Sequence, residues 1–326
     1  MSFERAVQFA RTPLFEDIDP EDLAELAALT TSWSAAPGDV LFRQGDPGDR
    51  LLVVTSGELE AVARLPGGGE RSFGTIGAGQ VVGELALLAR GRRTATVRAI
   101  SDSRGFSIAR ETFDLLRLQL RPVARTVVAR IGEIALERLA ARYGALAHEL
   151  EGPAGSSAGS PDPPAAAGVP SGDFSSDGVP DSYLAQTLFF RRFAGFEIAA
   201  LRRGMRVLSA PRGAHIETRS QLWVVLRGAV QTSVLHGGLR RRVRLAGPGR
   251  CVGQVDLLPA RGAAPELEST LRERAVLLEI PHPRAHALLA GDLPGAERFA
   301  EAFHEDVVRA LLAAEEQLAP PITASG

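Results

Sequence analysis

Lysine and asparagine are absent from this chain of 326 residues, and all 37 of its basic side chains are arginine. That bias reads as the stamp of a GC-rich genome rather than as a mechanism. The single cysteine, Cys251, excludes an internal disulfide and fits a reducing compartment. Its plainest use is as a small buried hydrophobe. No run approaches the roughly 18 apolar residues of a membrane-spanning helix. The amino terminus carries Glu4, Arg5 and Arg11 and no secretory pattern, so the cytoplasm is the expected location. The two signs of charge nearly balance: the net of −2 excludes a global field that draws the chain to nucleic acid or to a membrane. The six histidines do not cluster on facing strands. No serine, cysteine or histidine arrangement suggests nucleophilic catalysis.

Large apolar residues are scarce in one long segment, GPAGSSAGSPDPPAAAGVPSGDFSSDGVPD at 152–181. Gly, Pro, Ser, Ala and Asp have little to bury, so this stretch is expected to be a disordered linker. It divides the chain into a domain at 1–151 and another at 182–318, with a flexible tail at 319–326. In the first, a helix is expected near Pro20–Leu29 with Asp19 as its cap. Short strands between Gly and Pro turns follow from Ser32 to Ile108. They suit an antiparallel barrel or jelly roll. Helices at 111–118 and 123–150 come next, with Pro122 breaking between them. Val128, Ile131, Ala135, Leu139, Tyr143, Leu146 and Leu150 form one apolar stripe. Its own barrel, a dimer seam and a lid over a ligand are all candidates to cover that stripe.

The chemistry concentrates at Gly83–Thr96, GELALLARGRRTAT. A helix start presents unpaired N–H groups that favour an anion. Gly83 lets backbone come close to a ligand. Arg93 can clamp a phosphate through two parallel charged hydrogen bonds, and Thr94 and Thr96 can add hydroxyls. A carboxylate beside a phosphate is repulsive, so Glu84 makes sense as the acceptor for a sugar hydroxyl. The ligand therefore carries a phosphate and a ribose close together.

That stretch resembles the phosphate-binding cassette of the cyclic nucleotide-binding domain family, whose pattern is roughly FGELAL followed by RTAT or RAAT. GDVLFRQGDPGDRLLVVTSGELE (38–60) resembles the family's early strands, and IGAGQVVGE (76–84) its glycine-rich approach to the cassette. The resemblance covers about 12–150. It implies an α+β fold of barrel and flanking helices and a ligand, cAMP or cGMP, rather than a cofactor. It also implies a site of Gly83, Glu84, Leu85, Ala86, Arg93, Thr94 and Ala95, with backbone N–H groups from Gly83, Leu85, Ala86 and Ala95. Tyr143 is a second candidate, for stacking on the base, against a plain core role. Gly45, Asp46, Gly48 and Asp49 read as turn chemistry.

After the linker the order of elements recurs, and LAGPGRCVGQVDLL (245–258) parallels TIGAGQVVGELALL (75–88). The chain reads as two tandem copies of one domain. In the second, Gly253 matches Gly83 but Gln254 replaces Glu84, and the Arg93 position falls at Pro265 or Glu266. A carboxylate there repels phosphate, so this copy is expected not to bind a cyclic nucleotide in the usual way. Arg240, Arg241, Arg242 and Arg244 form a basic strand that suits a solvated face or an acidic partner; no interleaved aromatics point to nucleic acid. Arg191 and Arg192 in RRFA are too short a motif to mark a pseudosubstrate, and His282 and His286 lack a third metal ligand nearby.

The reading is a non-catalytic cyclic nucleotide sensor that passes its signal to an unknown protein partner, with a homodimer left open. The family commonly attaches a DNA-binding helix-turn-helix, a kinase or a channel, and none of these is visible. A scaffold with vestigial nucleotide binding is the alternative of another class.

Overall fold

Asp19 and Pro20 start the first helix as their chemistry dictates. The Asp19 carboxylate accepts the Glu21 N–H at 2.9 Å, and Pro20 occupies a first-turn position that has no donor to lose. The computed structural model describes residues 7–16, 18–64, 69–89, 91–118, 122–151, 180–258 and 265–318. The expected linker lies outside these residues except at Pro180 and Asp181, and the tail at 319–326 lies outside them entirely.

Helix α1 (Pro20–Ala28) leads into eight strands: β1 (Thr31–Ala35), β2 (Val40–Phe42), β3 (Arg50–Ser56), β4 (Leu59–Arg64), β5 (Glu70–Ile76), β6 (Val81–Val82), β7 (Thr96–Ala99) and β8 (Ser103–Ala109). They form two antiparallel sheets with orders β1-β8-β3-β6 and β2-β7-β4-β5. Alternation aims one face of each sheet inward. Leu52 and Val54 from the first sheet meet Phe42, Leu59, Val97 and Ala99 from the second, and these six make the core. Helix α2 (Glu84–Ala89) interrupts the strands between β6 and β7. Helices α3 (Arg110–Leu118) and α4 (Pro122–His148) follow β8.

The second half repeats this strand for strand. Helices α5 (Asp181–Gln186) and α6 (Gly195–Arg202) precede β9 (Arg206–Ala210), β10 (His215–Ile216), β11 (Gln221–Arg227) and β12 (Val230–His236). Then come β13 (Leu239–Ala246), β14 (Cys251–Val252), β15 (Glu266–Leu271) and β16 (Ala275–Pro281). The sheet orders are β14-β11-β16-β9 and β10-β15-β12-β13, those of the first barrel with eight added to every number. Gly57 and Gly228 make equivalent turns at φ +86° and +90°, where a Cβ would strike the backbone of the strand beside it. Helices α7 (His282–Ala290) and α8 (Ala296–Leu318) close the described chain. Two strands escaped the sequence reading, β9 and β15. The exposed Glu266 and half-buried Glu268 hide the short alternation of β15.

The chain separates into two compact units that divide at Ile134/Ala135, within α4. The sequence assigned all of this helix to the first domain. Ile131, Ala135, Leu139, Tyr143 and Leu146 of its stripe are buried as expected. From Ala135 onward, however, the helix packs in the second unit: Arg142 pairs with Glu315, and the Leu146 carbonyl accepts from Arg241 at 3.5 Å. Among the described residues no helix is long and apolar enough to cross a membrane.

Candidate functional site

Two loops, far apart in sequence, zip together at the mouth of the first barrel. The Gly45 N–H donates to the Arg93 carbonyl at 2.9 Å, Arg93 N–H to Asp46 O at 2.7 Å, and Gly48 N–H to Gly91 O at 3.1 Å. The Arg92 guanidinium donates to Gly45 O at 2.7 Å, so it ties down the turn rather than serving as a second phosphate cation. The Thr96 hydroxyl accepts the Gln44 N–H at 3.1 Å and is likewise committed to holding the strand. Gly48 must lack a side chain, since a Cβ there would lie 2.2 Å from that of Ala86. Arg110, from the start of α3, donates to Gly48 O at 2.7 Å, to Leu87 O at 3.3 Å and to Ala86 O. A cation thereby satisfies carbonyls that a six-residue helix leaves orphaned.

Arg93 is 5 % exposed. Its Nη1 donates to the Gly83 carbonyl at 3.3 Å and its Nη2 to the Asp49 carboxylate at 2.7 Å. Its guanidinium lies over the Phe42 ring, 3.5 Å from the centroid. Burial pulls this guanidinium below the ordinary arginine value; Asp49 opposes the shift, while Arg50 and Arg110 reinforce it. Glu84 is 2 % exposed at the first position of α2, with Leu85 and Ala86 buried behind it. Thr94 is half-buried and Ala95 buried. The Gly83–Ala86 and Arg93–Ala95 segments are thus joined by a direct bond between their first residues. A helix this short carries little macrodipole, so any pull on an anion comes from local N–H groups and the guanidinium.

Three participants were not read from the sequence as parts of the site. Asp49 was assigned to turn chemistry, yet its carboxylate, 60 % exposed, is the partner of Arg93. Phe42 and Arg110 lie 51 and 17 positions from Arg93, and only the fold brings them in. Gly83 sits at φ +90°, and a Cβ there would come within 2.5 Å of Arg93 Nη1 and 2.8 Å of the Phe42 ring. Gly83→Ala is therefore expected to cost about 1–2 kcal/mol in backbone strain and to push the guanidinium off its ring. Calorimetric titration with a cyclic nucleotide should show weakened binding; unchanged affinity would mean that the arginine does not need its present seat.

The second barrel differs at the corresponding positions. Ala99 pairs with Leu59 at the start of β4, and Leu271 with Val230 at the start of β12. Counting back six residues from each aligns Arg93 with Pro265 and Thr94 with Glu266. Gly253 keeps the φ of +90°. A three-residue turn, Val255–Leu257, replaces α2. Gln254, which could have met a sugar hydroxyl, is 4 % exposed and donates instead to Asp306 Oδ2 at 2.8 Å. The same oxygen accepts from Cys251 N at 2.8 Å and Arg244 Nη2 at 2.6 Å. Burial lowers the Arg244 guanidinium, but Asp306 and Tyr143 outweigh it and hold it above the ordinary arginine value. Burial pushes the Tyr143 hydroxyl and, much further, the Cys251 thiol up. Tyr143, 3 % exposed, is a core aromatic of this unit.

The arginine strand divides its labour. Arg240 pairs with Glu268, Arg241 with Glu149 at 2.6 Å and Arg244 with Asp306, while Arg242 is exposed. A uniformly solvated face does not describe it.

Residues 33–119 match the family model for the cyclic nucleotide-binding domain. The CRP-like cAMP-activated global transcriptional regulator of Mycobacterium tuberculosis is 29 % identical over 129 residues, 36 % of this chain and 58 % of that protein. The cyclic AMP receptor protein of Thermus thermophilus is 32 % identical over 118 residues, 36 % of this chain and 55 % of that protein. The chain spans little more than half the length of these curated relatives. The regulatory domain of Toxoplasma gondii PKA, solved with cAMP, covers 89 % of this chain and 94 % of its own at 18 % identity, with a TM-score of 0.34. Residues 33–119 are thus similar to the cyclic nucleotide-binding domain family, and the carboxy-terminal barrel repeats the strand order of the first.

Proposed function

We propose that the amino-terminal barrel binds a cyclic nucleotide and that the chain is a non-catalytic sensor. The cyclic phosphate meets Arg93 and backbone N–H groups of Gly83, Leu85, Ala86 and Ala95, Thr94 adds its hydroxyl, and Glu84 accepts from the ribose. The observation that carries this reading is the buried Arg93 guanidinium bonded to Gly83 beside the buried Glu84. Its carboxylate partner, Asp49, is largely exposed, so displacing it returns the carboxylate to water rather than stranding it. A phosphate can therefore take that pairing at low cost. Relatives named for cAMP make cAMP the first ligand to test and cGMP the second. Binding favours one of two positions of α4 in proportion to its differential affinity for them. The signal then passes by protein contacts to a partner or a second copy.

For the carboxy-terminal barrel one observation favours an architectural role. Its glutamine, and the backbone N–H of Cys251 just before the cassette-equivalent segment, are already engaged by Asp306 of the same chain. The full chain should therefore bind one cyclic nucleotide, not two, in calorimetry. At about 100 times the dissociation constant, cAMP should stabilise the binding domain by roughly 2.7 kcal/mol, and plain AMP far less. No shift with cAMP or cGMP would leave only the scaffold reading, and a stoichiometry of two would restore the second site.

A further inference from the structure

The second unit holds a hollow of about 550 Å³ between β13 and α8, the size of a small-molecule site. No described residue of the cassette-equivalent segment lines it. Asp306, one of its lining residues, bonds Gln254 of that segment at 2.8 Å. Four arginines line the hollow, Arg242, Arg244, Arg250 and Arg309, against two acidic residues, Asp306 and Glu316.

The sequence builds this space in two ways. Asp306, Ala310, Ala313 and Gln317 follow one another at steps of four, three and four, so one stripe of α8 faces the hollow. The two alanines in the middle leave room that larger side chains would fill. Opposite them the β12–β13 ladder shifts register: Thr232 pairs with Arg244 and Ser233 with Arg242, so Val243 is an extra residue. Such a bulge re-aims neighbouring side chains. Gln317 Nε2 donates to the Val243 carbonyl at 2.8 Å and closes one end.

Two of the lining residues hold buried polar atoms beneath the hollow. Asp306 is 2 % exposed, and its Oδ1 has no hydrogen-bond partner; Arg250 Nη1 stands 3.5 Å away. Arg244 has a side chain 10 % exposed, and its Nη1 is also buried without a partner. The charge balance, four positive against two negative, asks for a dianion. Guanidinium forks match phosphate oxygens, while Val243 and Ala310 offer an apolar wall.

We infer that this hollow binds a small organic phosphate monoester. The phosphate dianion sits among Arg242, Arg250 and Arg309, and the organic part lies along the apolar wall. The inference does not rest on cyclic nucleotide binding by the first barrel.

The test uses the full chain carrying Arg93→Glu, which silences the phosphate clamp of the first barrel. Phenyl phosphate, inorganic phosphate and benzoate are titrated by calorimetry. The expected result is one site for phenyl phosphate, weaker binding of inorganic phosphate and weakest of benzoate. Adding Arg242→Glu or Arg309→Glu, both at exposed positions, should each weaken phenyl phosphate by roughly tenfold or more, the loss expected for a charge-assisted contact. Arg191→Glu, which does not line the hollow, should leave it unchanged. Protection of Cys251 from a thiol reagent verifies that each variant is folded. Two results would overturn the inference: no binding of either phosphate at roughly 10 mM, where an interaction is weaker than about 3 kcal/mol, or affinity unmoved by both glutamate substitutions. Inorganic phosphate binding as tightly as phenyl phosphate would reassign the site to the free ion.

Discussion

Arg93→Glu is expected to remove cyclic nucleotide binding from this chain while the barrel still folds. The native guanidinium has a ring beneath it, a carbonyl on one nitrogen and an exposed carboxylate on another. A bidentate contact to phosphate would add two charged hydrogen bonds, each worth about 1.5–3 kcal/mol. Their loss alone weakens binding by roughly two to four decades. Glutamate adds repulsion, because its carboxylate would stand beside Glu84 and face the phosphate. Arg93→Lys separates charge from shape: it keeps the charge but lacks the fork and the flat face that rests on Phe42. It should bind with intermediate affinity. Calorimetry with cAMP reads all three chains, and circular dichroism reads the fold. Arg93→Glu that binds as tightly as the parent would remove the phosphate clamp from the reading. Asp49→Ala is the complementary probe. It takes away an exposed partner, so it should cost little stability and leave the arginine free for the ligand.

How much of this could be read from residues alone depends on the range of the interaction. The cassette was legible because its parts lie within fourteen consecutive residues, and Gly83, Glu84 and Arg93 are types with few other uses in that order. The repeat was legible because turn glycines and strand lengths recur at similar spacing. Asp49 was not legible: in GDPGD, aspartate is what any tight turn prefers, and nothing local tells that its carboxylate reaches Arg93. Phe42 reads as one more strand hydrophobe until the fold places it under a guanidinium. The unit boundary inside α4 was hidden for the same reason. An apolar stripe states that a helix face is covered, but not by which barrel. Asp306 was the largest omission. It sits on α8, 52 positions from Gln254, and its sequence context, FHEDVV, reads as an ordinary helix surface.

That aspartate supplies the second large effect. Asp306→Ala is expected to destabilise the carboxy-terminal unit by about 3–5 kcal/mol, the usual cost of removing one member of a buried ion pair. One oxygen of this carboxylate accepts from a guanidinium, an amide side chain and a backbone N–H. Without it, Arg244 stays buried and uncompensated, and the Cys251 N–H and Gln254 amide lose their acceptor. Asp306→Asn should cost less, since its oxygen can still accept, although its charge is gone. If the penalty comes from the stranded arginine, joining Asp306→Leu with Arg244→Met should recover much of the loss, because apolar replacements leave no charge behind. Cys251 provides a reporter inside this unit. It is 0 % exposed, and its thiol is held well above its ordinary value, first by burial and then by Asp306, so the native protein should hardly react with a thiol reagent at neutral pH. Labelling rates in a denaturant series then measure how readily this unit opens. Asp306→Ala should raise them by orders of magnitude, with the double replacement closer to the parent. Equal rates in all chains would mean that packing by Phe299, Phe303 and Val307, each fully buried on the same helix, holds α8 in place without help from the carboxylate.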